Sequence, residues 1–245
     1  MIRVATFNVQ SLPLMRPERV RQDVRLAARK ADVILWQEIK PDNYKAAIRA
    51  LGSAWEHYIP KGLGNNGPIS WRKRLFTLED KGRELLHDGV AKVCEDRAIT
   101  WVRLRRNGTQ HSIVFVNTHY VARAWNYDGT KALRKNDKGE ADQQPMRQDM
   151  WNEGNARHKD VIELARAEGY AVIGGGDFNR GGDWKVLGKR IAGEPVRYID
   201  GGGGLDYIYA LNGDNTRVRK VRHRNFKGNS DHPLKTVHVE LRRKR

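Results

Sequence analysis

The chain has one cysteine, Cys94, so an internal disulfide is excluded and a reducing compartment is expected. That cysteine reads as a small buried hydrophobe. No run approaches the ~20 apolar residues of a membrane-spanning helix. The first nine residues are too short and too polar for a secretory signal, so a cytoplasmic protein is expected. Acids are scarce beside bases: 29 against 46, a net charge of +17. An excess of that size points to a polyanionic partner, nucleic acid first and an anionic membrane surface second, with general solubility as the other explanation. Short repeats, linkers and domain boundaries are also missing. The 245 residues are therefore read as one domain, 1–245, and as a monomer, with 39% hydrophobic residues enough for a core.

What is present alternates between strand and helix patterns. Residues 2–9 read as a strand ending at Asn8. Pro17 opens a helix running to about Lys30, with Val20, Val24 and Ala27 or Ala28 on its apolar side. Residues 32–38 form a second strand ending in the carboxylate of Glu38. A helix follows over about 42–51, stopped by Gly52. Residues 60–68 are a loop by composition, with strands after it at 69–72 and 75–78. A hairpin pairs 98–104 with 112–119 across Asn107-Gly108. Residues 122–143 are a long polar loop, and a helix spans about 146–168. A strand at 170–174 leads into three glycines that end it. Residues 180–204 are irregular. Residues 205–210, a basic stretch at 217–227 and a last strand at about 234–241 follow.

The stretch from Ala171 to Asn179 organises the rest. Three apolar residues lead to Gly174-Gly175-Gly176 and then to Asp177-Phe178-Asn179. Asp177 and Asn179 are two apart, so an extended backbone points both the same way. Alone, this reads first as a tight turn capped by an aspartate. Other strand ends add Asn8, Glu38, Asn117 with His119, Asp206, and Asp231 with His232. Ligands gather at the carboxyl ends of strands in α/β sheets. Carboxylates, amides and histidines there suit metal-assisted hydrolysis of a phosphate ester.

Six short motifs occur in one order: Thr6-Phe7-Asn8, Gln37-Glu38, Asn117-Thr118-His119, Gly175 to Asn179, Leu205-Asp206-Tyr207, and Ser230-Asp231-His232. On these the chain resembles the endonuclease/exonuclease/phosphatase family, with its deoxyribonuclease I-like fold. The resemblance implies an α/β four-layer αββα sandwich of two packed mixed sheets, with the site at one edge. It implies that Glu38, Asn8 and Asp231 serve Mg²⁺, with Mn²⁺ as a substitute. Asp177 then positions or deprotonates the attacking water, aided by Asn179. His232 pairs with Asp206, and His119 contacts the scissile phosphate. Asn117 either contacts substrate or braces the loop carrying His119.

The family holds several branches. His119 stands where abasic-site endonucleases carry a tyrosine motif. Gly204 precedes Leu205-Asp206-Tyr207 where they often carry a Trp-Arg pair. Charge favours DNA as substrate, with RNA next: Lys40, Arg217, Arg219, Lys220, Arg222 and Arg224 are candidate phosphate contacts. Charged protection of a sheet edge is the plainer reading of 217–224. The expectation is a Mg²⁺-dependent DNA endonuclease leaving 5′-phosphate and 3′-hydroxyl ends. The alternatives are a phosphatase or phosphodiesterase of inositol phosphates or phospholipid headgroups, and a nucleic-acid-binding protein with a relic site.

Overall fold

Alternation along single strands builds the layers. In β1 (Ile2–Asn8), Ile2 and Val4 enter one buried cluster while Ala5 and Phe7 enter another. In β2 (Val33–Gln37), Val33 and Leu35 join the first, and Ile34 and Trp36 the second. The second cluster is roofed by α1 (Pro17–Lys30), which presents Val20, Val24, Ala27 and Ala28. Ile48 of α2 (Asp42–Arg49) joins it there. β7 (Ser112–His119) and β8 (Ala171–Asp177) repeat the pattern. Ile113, Phe115, Ala171 and Ile173 meet the first cluster. Val114, Val116 and Val172 face a third, covered by α3 (Gln144–Ala167). Three apolar interfaces between four layers make the expected αββα sandwich. The computed structural model describes residues 1–9, 16–39, 42–61, 67–125, 143–181, 186–201 and 203–244, without the side chains of 42–44.

The remaining strands are β3 (Trp55–Tyr58), β4 (Ile69–Arg72), β5 (Phe76–His87), β6 (Arg97–Arg106), β9 (Arg190–Ile191), β10 (Glu194–Pro195), β11 (Arg197–Tyr198), β12 (Asp206–Leu211), β13 (Thr216–Phe226) and β14 (Leu234–Arg243). One sheet runs β13-β14-β1-β2-β4-β3 and the other β11-β12-β8-β7-β6-β5. β9 and β10 make a separate ribbon. Each six-stranded sheet has one parallel pair among the described residues, β1 with β2 and β7 with β8.

Several boundaries differ from the sequence reading. The glycines do not end the strand: β8 continues to Asp177, and the reason is crowding rather than turning. A Cβ on Gly174 would lie 2.1 Å from the Tyr209 hydroxyl, and one on Gly176 2.0 Å from the Thr118 carbonyl oxygen. Gly176 also has φ of +149°, a conformation that favours glycine. β5 is twelve residues rather than four. Its polar middle hid it, and Gly82 there lets Trp101 lie across the strand. β3 was not anticipated, because four residues carry too little pattern. Most of the polar 122–143 segment lies outside the described residues, as does Lys40.

Gly174→Ala should therefore destabilise by more than about 2 kcal/mol, the scale of overpacking a core. Shortening the opposing ring in Gly174→Ala/Tyr209→Leu should recover part of that loss. Urea denaturation of both variants checks this, and a parental midpoint for Gly174→Ala would refute it.

Candidate active site

The apolar inner faces turn polar toward one end of the sandwich. Along β1, Val4 gives way to Thr6 and Asn8; along β2, Leu35 to Gln37; along β7, Phe115 to Asn117 and His119. Along β8, Ile173 gives way to Gly175 and Asp177. The first polar layer is a brace. Gln37 Nε2 donates to Asn117 Oδ1 at 2.6 Å, joining the two sheets. Asn117 Nδ2 donates to the carbonyls of Trp36 (2.7 Å) and Pro68 (3.1 Å). Asn117 is fully buried with its amide spent, so the structure gives it the bracing role and not a place on the substrate side.

Above the brace lies a cluster of polar and titratable side chains. Asn8 Nδ2 donates to Glu38 Oε1 at 3.1 Å and to Asp177 Oδ2 at 3.0 Å, linking the sheets a second time. The Asn179 backbone N–H donates to Asp177 Oδ1 at 2.8 Å, and its side chain donates to the Tyr120 carbonyl. His232 Nδ1 bonds Asp206 Oδ2 at 2.8 Å, and its Nε2 lies 3.8 Å from Asp177 Oδ2. His119 Nε2 lies 3.7 Å from the same oxygen on another side. Asp231 Oδ1 stands 4.0 Å from His232 Nε2. Glu38 and Asn179 have φ of 62° and 49°, which non-glycine residues adopt rarely. Strain of that kind concentrates where a side chain must be aimed.

Burial and the neighbouring Asp206 push the Asp177 carboxyl up to about 7, against the pull of His232 and its own hydrogen bonds. Burial works against a charged His232, yet the hydrogen bond and charge of Asp206, with Asp177 and Asp231, raise it to about 10. His232 is therefore an imidazolium at neutral pH. His119 differs. Its Nδ1 faces Arg97 Nη1 at 3.1 Å. A guanidinium only donates, so Nδ1 accepts and the ring proton is assigned to Nε2, toward Asp177.

The chemistry of the donors also bears on a metal. Asp177, Asp206 and His232 offer ligand atoms within 4.8 Å of one another. His232 Nδ1 is already spent on Asp206 Oδ2, so that trio is the poorer choice. Asn8 Nδ2 brings Glu38 and Asp177 together, and oxygen donors of this kind suit a hard divalent cation. The residues fit such an ion on the Glu38 and Asn8 side.

The loop carrying His232 is held from outside the motifs. Asp23, buried on α1 at 1% exposure, accepts the backbone N–H groups of Asn229 (2.8 Å) and Ser230 (3.0 Å). Ser230 Oγ then donates to the Asn8 carbonyl at 2.7 Å. On the far side, the buried Lys235 ammonium donates to Asp200 Oδ2 (2.9 Å) and to the carbonyls of Gly203 and Asp206 (both 2.6 Å). Asp23→Ala should lower kcat roughly 10- to 100-fold through misplacement of His232, with KM little changed. Asp32→Asn removes another buried carboxylate, one paired with Arg3 at the other end of β1. That control should lower Tm without touching kcat. Parental kcat in Asp23→Ala would sink the assignment.

The basic stretch is placed less simply. β13 is the edge strand, antiparallel to β14, with Arg224 opposite Thr236 and Arg217 opposite Arg242. Lys235 pairs with Thr6 near the candidate site, so Arg224 sits close to its level. Arg217 lies seven residues further down, roughly 23 Å away. Arg219 bonds Glu240 and Arg222 bonds His238. Arg217 and Arg219 are thus set back from the Asp177 cluster, because the strand runs away from it.

No protein-family model and no curated protein matches the chain. Solved structures do. The endonuclease/exonuclease/phosphatase from Bacteroides vulgatus has 14% identity and a TM-score of 0.71, over 98% of this chain and 99% of its own. The human Nocturnin catalytic domain with bound sulfate has 15% identity and a TM-score of 0.71, over 98% and 94%. A mannosyl-6-phosphatase from Bacteroides thetaiotaomicron has 14% identity and a TM-score of 0.65, over 98% and 100%. The chain has the deoxyribonuclease I-like fold of the endonuclease/exonuclease/phosphatase proteins.

Proposed function

We propose that this protein is a metal-dependent phosphoesterase and, within that class, a nuclease cleaving DNA to 5′-phosphate and 3′-hydroxyl ends. The observation that carries this is the Asp177 centre: a carboxyl pushed to about 7, positioned by Asn8 and Asn179, beside an imidazolium fixed by Asp206. A carboxyl near that value accepts a proton from water at neutral pH. The water oxygen bonds to phosphorus, and the bond from phosphorus to the 3′ oxygen breaks. The leaving oxygen takes up a proton and departs as a hydroxyl. His232 Nε2 and the Nε2 proton of His119 stabilise charge on the phosphoryl oxygens. Glu38 and Asn8, with Asp231 nearby, would hold Mg²⁺, which supplies positive charge against the phosphate when bound.

The charge of +17 supports a polyanionic substrate. Chelator should abolish cleavage of plasmid DNA, and Mg²⁺ or Mn²⁺ should restore it. Glu38→Gln should raise the Mg²⁺ concentration for half-maximal rate. Full cleavage in excess chelator would remove the metal. The second reading, a phosphatase of small phosphate esters, draws on the likeness to the mannosyl-6-phosphatase. Side-by-side rates on DNA, RNA, inositol phosphates and sugar phosphates decide between them.

A further inference from the structure

A cavity of about 600 Å³ adjoins the site, walled by residues 89–97, Ala122 and Arg147. His119 connects the two. Its Nε2 faces Asp177, and its Nδ1 accepts from Arg97, a cavity residue. Arg97 is only 8% exposed, yet among the described residues its side chain makes that one hydrogen bond and no ion pair. Among the described residues its buried Nε has no partner, which is also true of the Arg147 Nε. A buried guanidinium left without an anion is costly, so its retention calls for one. Arg147 differs. Its two terminal nitrogens are spent on the Ala122 and Val93 carbonyls and on Gln143, so it ties the cavity wall together. Lys92, exposed on the same wall, adds a second available cation, against the acids Glu95 and Asp96.

We propose that this cavity binds a second phosphate of the substrate, neighbouring the scissile one across the His119 ring, with Arg97 and Lys92 as its contacts. This rests on the phosphodiesterase reading and narrows it: the preferred substrate carries at least two phosphates in series. Arg97 is suited to the role because its fork matches the geometry of phosphate oxygens. A lone phosphodiester engages only the Asp177 side. A chain with a neighbouring phosphate engages both.

The first test is binding without turnover. In metal-free buffer, inorganic pyrophosphate should raise the Tm of the parent in a concentration-dependent way. Arg97→Met and, separately, Lys92→Gln should each weaken that binding by about tenfold, the scale of one charged hydrogen bond. Lys92 is exposed on the cavity wall, so its replacement reports on the cavity while leaving the Arg97–His119 bond in place. The second test compares substrates: a bare thymidine dinucleotide, the same with a 5′-terminal phosphate, and an unphosphorylated trinucleotide. At least one of the latter two should exceed the bare dinucleotide in kcat/KM by about tenfold, and both variants should erase that advantage. The two arms separate a free terminal phosphate from a backbone one. No pyrophosphate shift, or a shift indifferent to both variants, overturns the cavity whatever the enzyme cuts. If the shift depends on both cations but no nucleic acid is cleaved, the cavity stands and the nuclease reading falls.

Discussion

Asp177→Asn is expected to slow single-turnover cleavage of DNA about a thousandfold, within the range for removing a general base. The same change should leave the fold no less stable at pH 8 in chelator. The sign follows from the raised carboxyl. A folded value of about 7 against an unfolded 3.8 means that the contribution of Asp177 to stability falls as pH rises between those values. At pH 8 the folded parent holds a buried carboxylate against Asp206, at a cost on the order of a few kcal/mol. Asparagine carries no charge and still accepts from the Asn179 N–H, although it loses an acceptor for Asn8. The Tm difference, variant minus parent, should therefore grow from pH 5 to pH 8. A variant that loses activity only because it unfolds would show a lower Tm throughout. One that cleaves at the parental rate would end the assignment of Asp177 as the base.

His232→Ala should cost a similar factor, and Asp206→Ala added to it should cost little more. The two side chains act as a unit at 2.8 Å. Once the imidazole is gone, Asp206 has nothing to hold in its charged form, so the two losses should be strongly non-additive. Asp206→Ala alone should fall between parent and His232→Ala. In that single variant His232 loses its strongest partner, so the share of imidazolium should fall with rising pH well below the parental value of about 10. A histidine titration followed by NMR checks this. Full additivity in the rates would mean that the pair is structural.

Much of this was legible in the residues because motif order survives where identity does not. Asn8, His119 and Asp177 close strands, Glu38 and Asn179 follow them, Asp206 opens β12 and His232 lies in the loop before β14, and the packing of two sheets brings them together. Asn117 shows the limit. Its position in a motif does not say whether an amide faces substrate or interior, and its bonds to Trp36, Pro68 and Gln37 decide that. Asp23 was unreadable for another reason. An aspartate within a helix looks solvated in sequence, and only the arrival of the loop at Asn229 and Ser230 reveals a buried acceptor. Arg97 begins a β-strand among many surface arginines, with nothing local to mark it as enclosed. Lys235 lies three residues beyond His232 yet reads as one more base in a basic chain. The glycines of β8 misled because punctuation and close approach use the same residue.

The position of β14 has a consequence for the order in which the molecule is made. β14 pairs with β1 on one side and β13 on the other, so residues 234–243 complete a sheet begun at residues 2–8. A ribosome releases β1, β7 and β8 well before it releases β14 or the loop bearing His232. Until then Asn8 and Asp177 have no imidazolium beside them, and β1 presents an unsatisfied edge. Any product of interrupted translation that stops before Ser230 therefore lacks the charged half of its centre. For a cation-rich chain proposed to cut nucleic acid, the proposed hydrolysis has to wait until the loop bearing His232 has been made.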